Sequence, residues 1–224
     1  MRTKLFLLFL FSIGLFTYFS YTVAKERWTQ RDFDTTVKLQ DHIPRKFDKY
    51  FSYFSLLGSV EVTVGFCLIM VVLSAIRLKW LAILGWLMII PASMGEVFGK
   101  LILFHPAPPV FLHRSVLPTN LPSFYVHTDF SYPSGHMTRT IFIVAVFLSM
   151  IIFQSKNPGM RFISVLCLIG FAFMMGLTRV YLGEHWTSDV IGGSLLGAGV
   201  GFLGSMLILK SKKFKIAADA QEMI

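Results

Sequence analysis

The chain has 224 residues, of which 54% are hydrophobic and only 15% charged, with a mean hydropathy of +0.65 and a formal net charge of +9. A soluble domain averages about 25% charged residues, so an ordinary soluble protein is excluded, and the apolar residues run in long blocks as they do in membrane spans. The positive charge carries no nucleic-acid motif; many of the basic residues flank apolar blocks, where they set topology and meet anionic headgroups.

A spanning helix needs about 20 mostly apolar residues, and six stretches qualify in chain order: about 5–24, 51–76, 80–104, 137–154, 162–182 and 188–209. The expected fold is all-α: a single polytopic membrane domain, 1–224, with six transmembrane helices. The first stretch has a basic start and small residues before Lys25, as a signal peptide does, but its length favours a retained helix. The segment 25–50 interleaves acids and bases. It is either an amphipathic helix on the membrane surface or a solvated connector, and the connector is favoured.

The second stretch contains Glu61 and Cys67, and the fifth Cys167. Cysteines inside apolar runs suggest neither a disulfide framework nor a zinc site. The third stretch ends with Glu96 and Lys100, four apart on one helix face, an ion pair being the favoured reading. The 105–135 loop, with prolines at 106, 108, 109, 118 and 122, is long for a structureless connection, and such loops often act as lids. Its Val110, Phe111, Leu112 and Phe124 are candidates to dip into the membrane interface, and His127 and Asp129 precede the next helix.

The short basic links "RLK" (77–79) and "QSKNPGMR" (154–161), the start "MRTK" and the tail 210–224 with its "KSKKFK" are read as cytoplasmic. Bases in 25–50 weaken that bias without reversing it. Alternating spans then place Lys100, Ser134, His136, Arg179, His185 and Asp189 at the ends of helices on the opposite side, at one depth. Any one of them can snorkel to the interface; so many at one level point to a site. In the last stretch Gly193, Gly197 and Gly201 recur every four residues, a spacing that lets helices approach closely.

The chemistry follows from residue types. His185 and Asp189 share a face if a helix starts near His185. A carboxylate on one ring nitrogen fixes the tautomer and frees the other nitrogen to attack, and histidine is a competent covalent nucleophile. Arg179 offers a planar fork for phosphate oxygens. The Ser134–Gly135 turn offers backbone N–H groups at a helix start, and His136 can donate a proton to a leaving oxygen. The set amounts to phosphoryl transfer with no metal and no cofactor.

"PSGH" (133–136) and "TRVYLGEHWTSD" (178–189) resemble the second and third signatures of the type 2 phosphatidic acid phosphatase superfamily, the third being S/T-R-x5-H-x3-D. The resemblance covers roughly 95–205. It implies a six-helix membrane enzyme acting on lipid phosphates, with a catalytic core like that of acid phosphatases and vanadium haloperoxidases. Carried over by motif, His185 is the nucleophile that becomes phosphohistidine, Asp189 orients it, and His136 is the acid on the leaving group. Ser134, Gly135, Arg179 and Lys100 bind phosphate.

The first signature, K-x6-R-P, departs: "KLILFHPAPP" puts Ala107 where an arginine is expected. Arg139, three residues beyond His136, either supplies the missing guanidinium or pairs with a carboxylate such as Glu96. His105 and Arg114 are rival substitutes. The expected substrates are lipid phosphates or pyrophosphates such as undecaprenyl pyrophosphate, phosphatidate or phosphatidylglycerol phosphate, with the site on the outer face of the cytoplasmic membrane. A phosphotransferase of the same family, or a non-catalytic binding or transport protein with a damaged pocket, is the alternative.

Overall fold

The computed structural model describes residues 1–117 and 130–209, so the tail and part of the long loop, with Phe124, His127 and Asp129, lie outside the described residues. Among them the chain is helical: α1 (Arg2–Ala24), α2 (Thr29–His42), α3 (Asp48–Ser55), α4 (Val60–Ile76), α5 (Trp80–Leu87), α6 (Ile89–Ile102), α7 (Gly135–Gln154), α8 (Pro158–Tyr181) and α9 (Thr187–Ile208). Among the described residues six stretches are long and apolar enough to cross a membrane: Arg2–Ala24, Arg45–Ile76, Trp80–Ile102, Gly135–Gln154, Pro158–Tyr181 and Thr187–Ile208.

Two of the six are broken, each for a local reason. Between α3 and α4, Ser59 leaves the helical region and its hydroxyl accepts from the Val62 N–H, capping α4. Between α5 and α6 the chain turns at Met88, and Pro91 in the next turn has no N–H to offer the preceding one. The fourth span starts two residues earlier than its apolar pattern suggests, because Gly135 and His136 already belong to the first turn of α7. Pro158 opens α8 at its first position, with the Asn157 side chain accepting from the Met160 N–H at 3.1 Å.

Helix α9 stands at the centre, against α7 on one side and α1 and α5 on others. The glycines spaced by four make the α7–α9 seam. A Cβ at Gly193 would strike the Ser134 carbonyl, one at Gly197 the Thr138 carbonyl, and one at Gly201 would come within 2.8 Å of the Phe142 carbonyl. Nearer the other end of the bundle, Cys67, Trp86, Ile89, Phe142 and Val146 form a buried apolar cluster joining α4, α5, α6 and α7. The two helices are thereby locked in register, so the start of α7 and the start of α9 sit side by side. The Ser134 N–H donates to the Asp189 carbonyl at 3.0 Å.

The segment after α1 is not a solvated connector. Helix α2 turns one polar stripe, Asp32, Thr36 and Gln40, inward, and all three are buried. Gln40 Nε2 donates to the carbonyls of Leu112 (2.7 Å) and Tyr181 (2.8 Å), tying α2 to the loop and to the end of α8. Helix propensity alone does not hold this polar segment in place; docking onto α8 and α9 does. In the loop, Val110 and Phe111 are exposed, whereas Leu112 is buried under α2.

Candidate active site

The end of α6, the start of α7, the end of α8 and the start of α9 meet at one end of the bundle. His185 follows a turn in which Gly183 takes φ +68, a conformation suited to glycine, and a Cβ there would collide with the Leu112 carbonyl. That turn lets the chain reverse from α8 into α9 and brings His185 back over Arg179, whose carbonyl accepts from the His185 N–H at 3.2 Å.

Asp189 sits at the third position of α9 and is fully buried. Its Oδ2 accepts from the Trp186 N–H at 2.9 Å, capping the helix, and faces His185 Nδ1 at 3.4 Å. His185 is 1% exposed. Burial first, then the neighbouring charges of Arg179, Lys100 and Arg139, hold its imidazole well below the ordinary histidine value of 6.5. The ring is therefore neutral at neutral pH, with Nδ1 facing Asp189.

Ser134 is the N-cap residue of α7, yet its hydroxyl makes no capping bond and, fully buried, has no hydrogen-bond partner. Arg179 is likewise buried with its Nε unpartnered. Its Nη1 donates to the Ser55 hydroxyl of α3, and its Nη2 pairs with Glu184. Glu184 thus lies on the guanidinium where an anion would bind. Leaving buried donors unpaired costs on the order of 1–3 kcal/mol each. The Ser134 hydroxyl and the Arg179 Nε are groups that a bound oxyanion can satisfy.

Glu96 lies beneath the Ser134–Gly135 turn, so close to Gly135 that a Cβ there would run into its carboxylate. It holds two buried cations: Lys100 Nζ at 2.9 Å and Arg139 Nη1 at 2.6 Å. The carboxylate alternative for Arg139 is therefore the contact present, and Glu96 sets the direction of both chains. The Arg139 Nε is buried without a partner, and the charge of Arg139 acts on His185 together with those of Arg179 and Lys100. His136 is half-buried in the first turn of α7, near Gly58.

Neither rival substitute for the missing arginine points into this cradle. Ala107 itself is exposed. The Arg114 Nη1 donates to the Tyr181 hydroxyl at 3.2 Å and its guanidinium lies over the Tyr181 ring, buttressing α8. His105 Nε2 lies 3.8 Å from Asp32 Oδ2 and 3.7 Å from Asp189 Oδ1, and burial lowers its pKa to about 4. The contacts present turn its Nε2 toward Ser188 and Asp32.

Asp32, Ser55 and Ser188 were missed from sequence. Only the spacing Asp32–Thr36–Gln40 hinted at an inward polar stripe, and charges on every side of that segment masked it.

The family model described as the PAP2 superfamily matches residues 80–213. Phosphatidylglycerophosphatase B of Bacillus subtilis (strain 168) is 34% identical over 92 residues, 39% of this chain and 44% of that protein. Glucose-6-phosphatase 3 of Mus musculus is 28% identical over 178 residues, 75% of this chain and 50% of that protein. The chain thus spans about half the length of these curated relatives. The solved structure of a transmembrane PAP2-type phosphatidylglycerolphosphate phosphatase from Bacillus subtilis superposes with a TM-score of 0.71 at 17% identity, over 94% of this chain and 96% of that one, and shares its fold.

Proposed function

The chain belongs to the PAP2 superfamily, and from that premise we propose that it is a metal-independent membrane phosphatase acting on a lipid phosphate or pyrophosphate through a phosphohistidine on His185. The observation that carries the proposal is His185 itself, buried, neutral and with one ring nitrogen on Asp189, at the same end of the bundle as the unpartnered Ser134 hydroxyl and Arg179 Nε.

In this mechanism Nε2 of His185 attacks phosphorus while the bond to the leaving oxygen breaks and His136 delivers a proton to that oxygen. Asp189 stabilises the positive charge that grows on the imidazole. Ser134, the backbone N–H of Gly135, Arg179 and Lys100 take the equatorial oxygens, with Glu184 giving way on Arg179. Arg139, aimed by Glu96, supplies the charge that Ala107 does not. Water then attacks the phosphohistidine, with His136 now the base, and phosphate leaves.

Purified protein is expected to release phosphate from phosphatidate, phosphatidylglycerol phosphate or undecaprenyl pyrophosphate faster than from glucose 6-phosphate, and equally with or without chelator. Chelator sensitivity, or a preference for the soluble ester, would refute the corresponding half of the proposal. Phosphate loss that depends on an added acceptor alcohol would identify a phosphotransferase.

We also place the site on the extracytoplasmic face, because the basic links 77–79 and 154–161 lie at the other end of the helices. A cysteine introduced at exposed Val110, on a background lacking Cys67 and Cys167, is expected to react with an impermeant thiol reagent in intact cells. Labelling only after lysis would reverse the orientation.

A further inference from the structure

The connector helix α2 carries a carboxylate into the back of the site. Asp32 is 1% exposed, and both of its oxygens serve one residue of α9. Oδ1 accepts from the Ser188 N–H at 2.9 Å and Oδ2 from the Ser188 hydroxyl at 2.6 Å. Ser188 stands at the second position of α9, where the N–H has no partner within its own helix. Asp32 therefore caps α9 from another element, with its charge at the positive end of the helix. Burial raises the Asp32 carboxyl above its ordinary value, and the two bonds from Ser188 offset only part of that rise. Burying a carboxylate is costly unless it is paired and bonded, which makes this placement expensive for a mere connector.

His105 completes the arrangement. Its Nε2 lies 3.3 Å from the Ser188 hydroxyl oxygen, 3.8 Å from Asp32 Oδ2 and 3.7 Å from Asp189 Oδ1. The opposite oxygen of Asp189 faces His185 Nδ1 at 3.4 Å. A tier of buried groups thus runs from Asp32 to Ser188, with His105 beside it, and along the first turn of α9 to Asp189 and the proposed nucleophile.

We propose that Asp32 is a positioning residue for phosphoryl transfer, fixing the first turn of α9 through Ser188, so that Asp189, the next residue of that turn, stays on His185. The role rests on the phosphatase reading of His185. Asp32 touches no substrate. It acts because a carboxylate that swings on its side chain loses its hold on the imidazole, and misplacement by about 1 Å can cost roughly a hundredfold in rate. A cavity of about 420 Å³ lined in part by Val23, Thr29, Asp32, His105 and Trp186 adjoins the tier. Truncating Asp32 therefore opens space that water can fill instead of forcing α2 inward.

The test uses the full chain in detergent micelles with phosphatidate as substrate. Asp32→Ala is expected to lower kcat roughly tenfold with KM unchanged, and Asp32→Asn, which keeps an acceptor for the Ser188 N–H, to recover part of the loss. Thermal unfolding and gel filtration check that the variants are folded. Ser188→Ala, which removes only the hydroxyl link, gives the same kcat-selective loss and stands in should Asp32→Ala not fold. Nitrogen-15 NMR of the histidine rings reads the same tier without turnover, and Asp32→Asn is expected to shift the His105 and His185 signals. The proposal is overturned if kcat stays at the parent value in Asp32→Ala and Ser188→Ala, if only KM changes, or if the ring signals do not move. A parent enzyme without turnover would instead refute the phosphatase reading, and the ring signals would still decide whether Asp32 positions His185.

Discussion

His185→Ala is expected to lower turnover of a lipid phosphate by about six orders of magnitude, the scale on which a nucleophile is lost from a site whose parts act as a unit. The remaining phosphate-binding groups, Ser134, Arg179 and Lys100, do not substitute for it, since none of them carries a ring nitrogen. The parent should form a phosphoenzyme that is labile in acid and stable in base, and His185→Ala should form none. The sign of the pH dependence follows from the same environment. Burial and the Arg179 charge lower the His185 pKa well below 6.5, so the reactive neutral ring persists on the acid side of the ordinary histidine value. The acid limb of kcat/KM due to His185 is accordingly expected below pH 6.5. Near-parental turnover in His185→Ala would eliminate the phosphohistidine mechanism.

Arg139→Ala is expected to lower kcat/KM by roughly a hundredfold, the usual scale for removing one preorganised donor from a site of developing charge. The contact with Glu96 at 2.6 Å offers a competing explanation, namely that Arg139 only neutralises a buried carboxylate. Breaking such a pair from one side leaves an uncompensated charge and costs about 3–5 kcal/mol when nothing else balances it, although Lys100 still holds Glu96 here. The double variant Glu96→Gln/Arg139→Ala separates the two. If Arg139 supplies charge to the phosphate, the double variant stays as slow as Arg139→Ala. Recovery of parental kcat/KM in the double variant would assign Arg139 to Glu96 alone.

The parts of the site that were legible in sequence are those set by local spacing. The fork of Arg179, the His185–Asp189 pair and the Ser134–Gly135–His136 turn lie within a few residues of helix ends, where helical periodicity dictates which side chains meet. Glu96 and Lys100 were legible for the same reason. The choice between phosphate and Glu96 for Arg139 was not, because it depends on how α6 packs under the turn before α7. Asp32 was invisible in a stretch rich in exposed acids and bases, and only the docking of α2 singles it out. The contacts of His105 were hidden for a related cause: its nearness in sequence to the departed arginine says nothing of Asp32 arriving from a helix some seventy residues earlier. The breaks at Ser59 and before Pro91 were readable as helix punctuation, yet lay hidden under the strength of the apolar runs.

No residue of α9 is exposed, whereas α8 and α4 turn many apolar side chains outward, among them Phe162, Leu166 and Phe173 on one and Leu68, Ile69 and Val72 on the other. The helix that carries Asp189 and follows directly on His185 is thus walled off from the bilayer by its neighbours. Changes in membrane thickness or lipid composition act first on the outer helices, whose surfaces can be rewritten without altering the glycine seam between α7 and α9. Such an architecture lets the proposed centre be carried into membranes of different make-up, with adaptation confined to the parts that lie away from it.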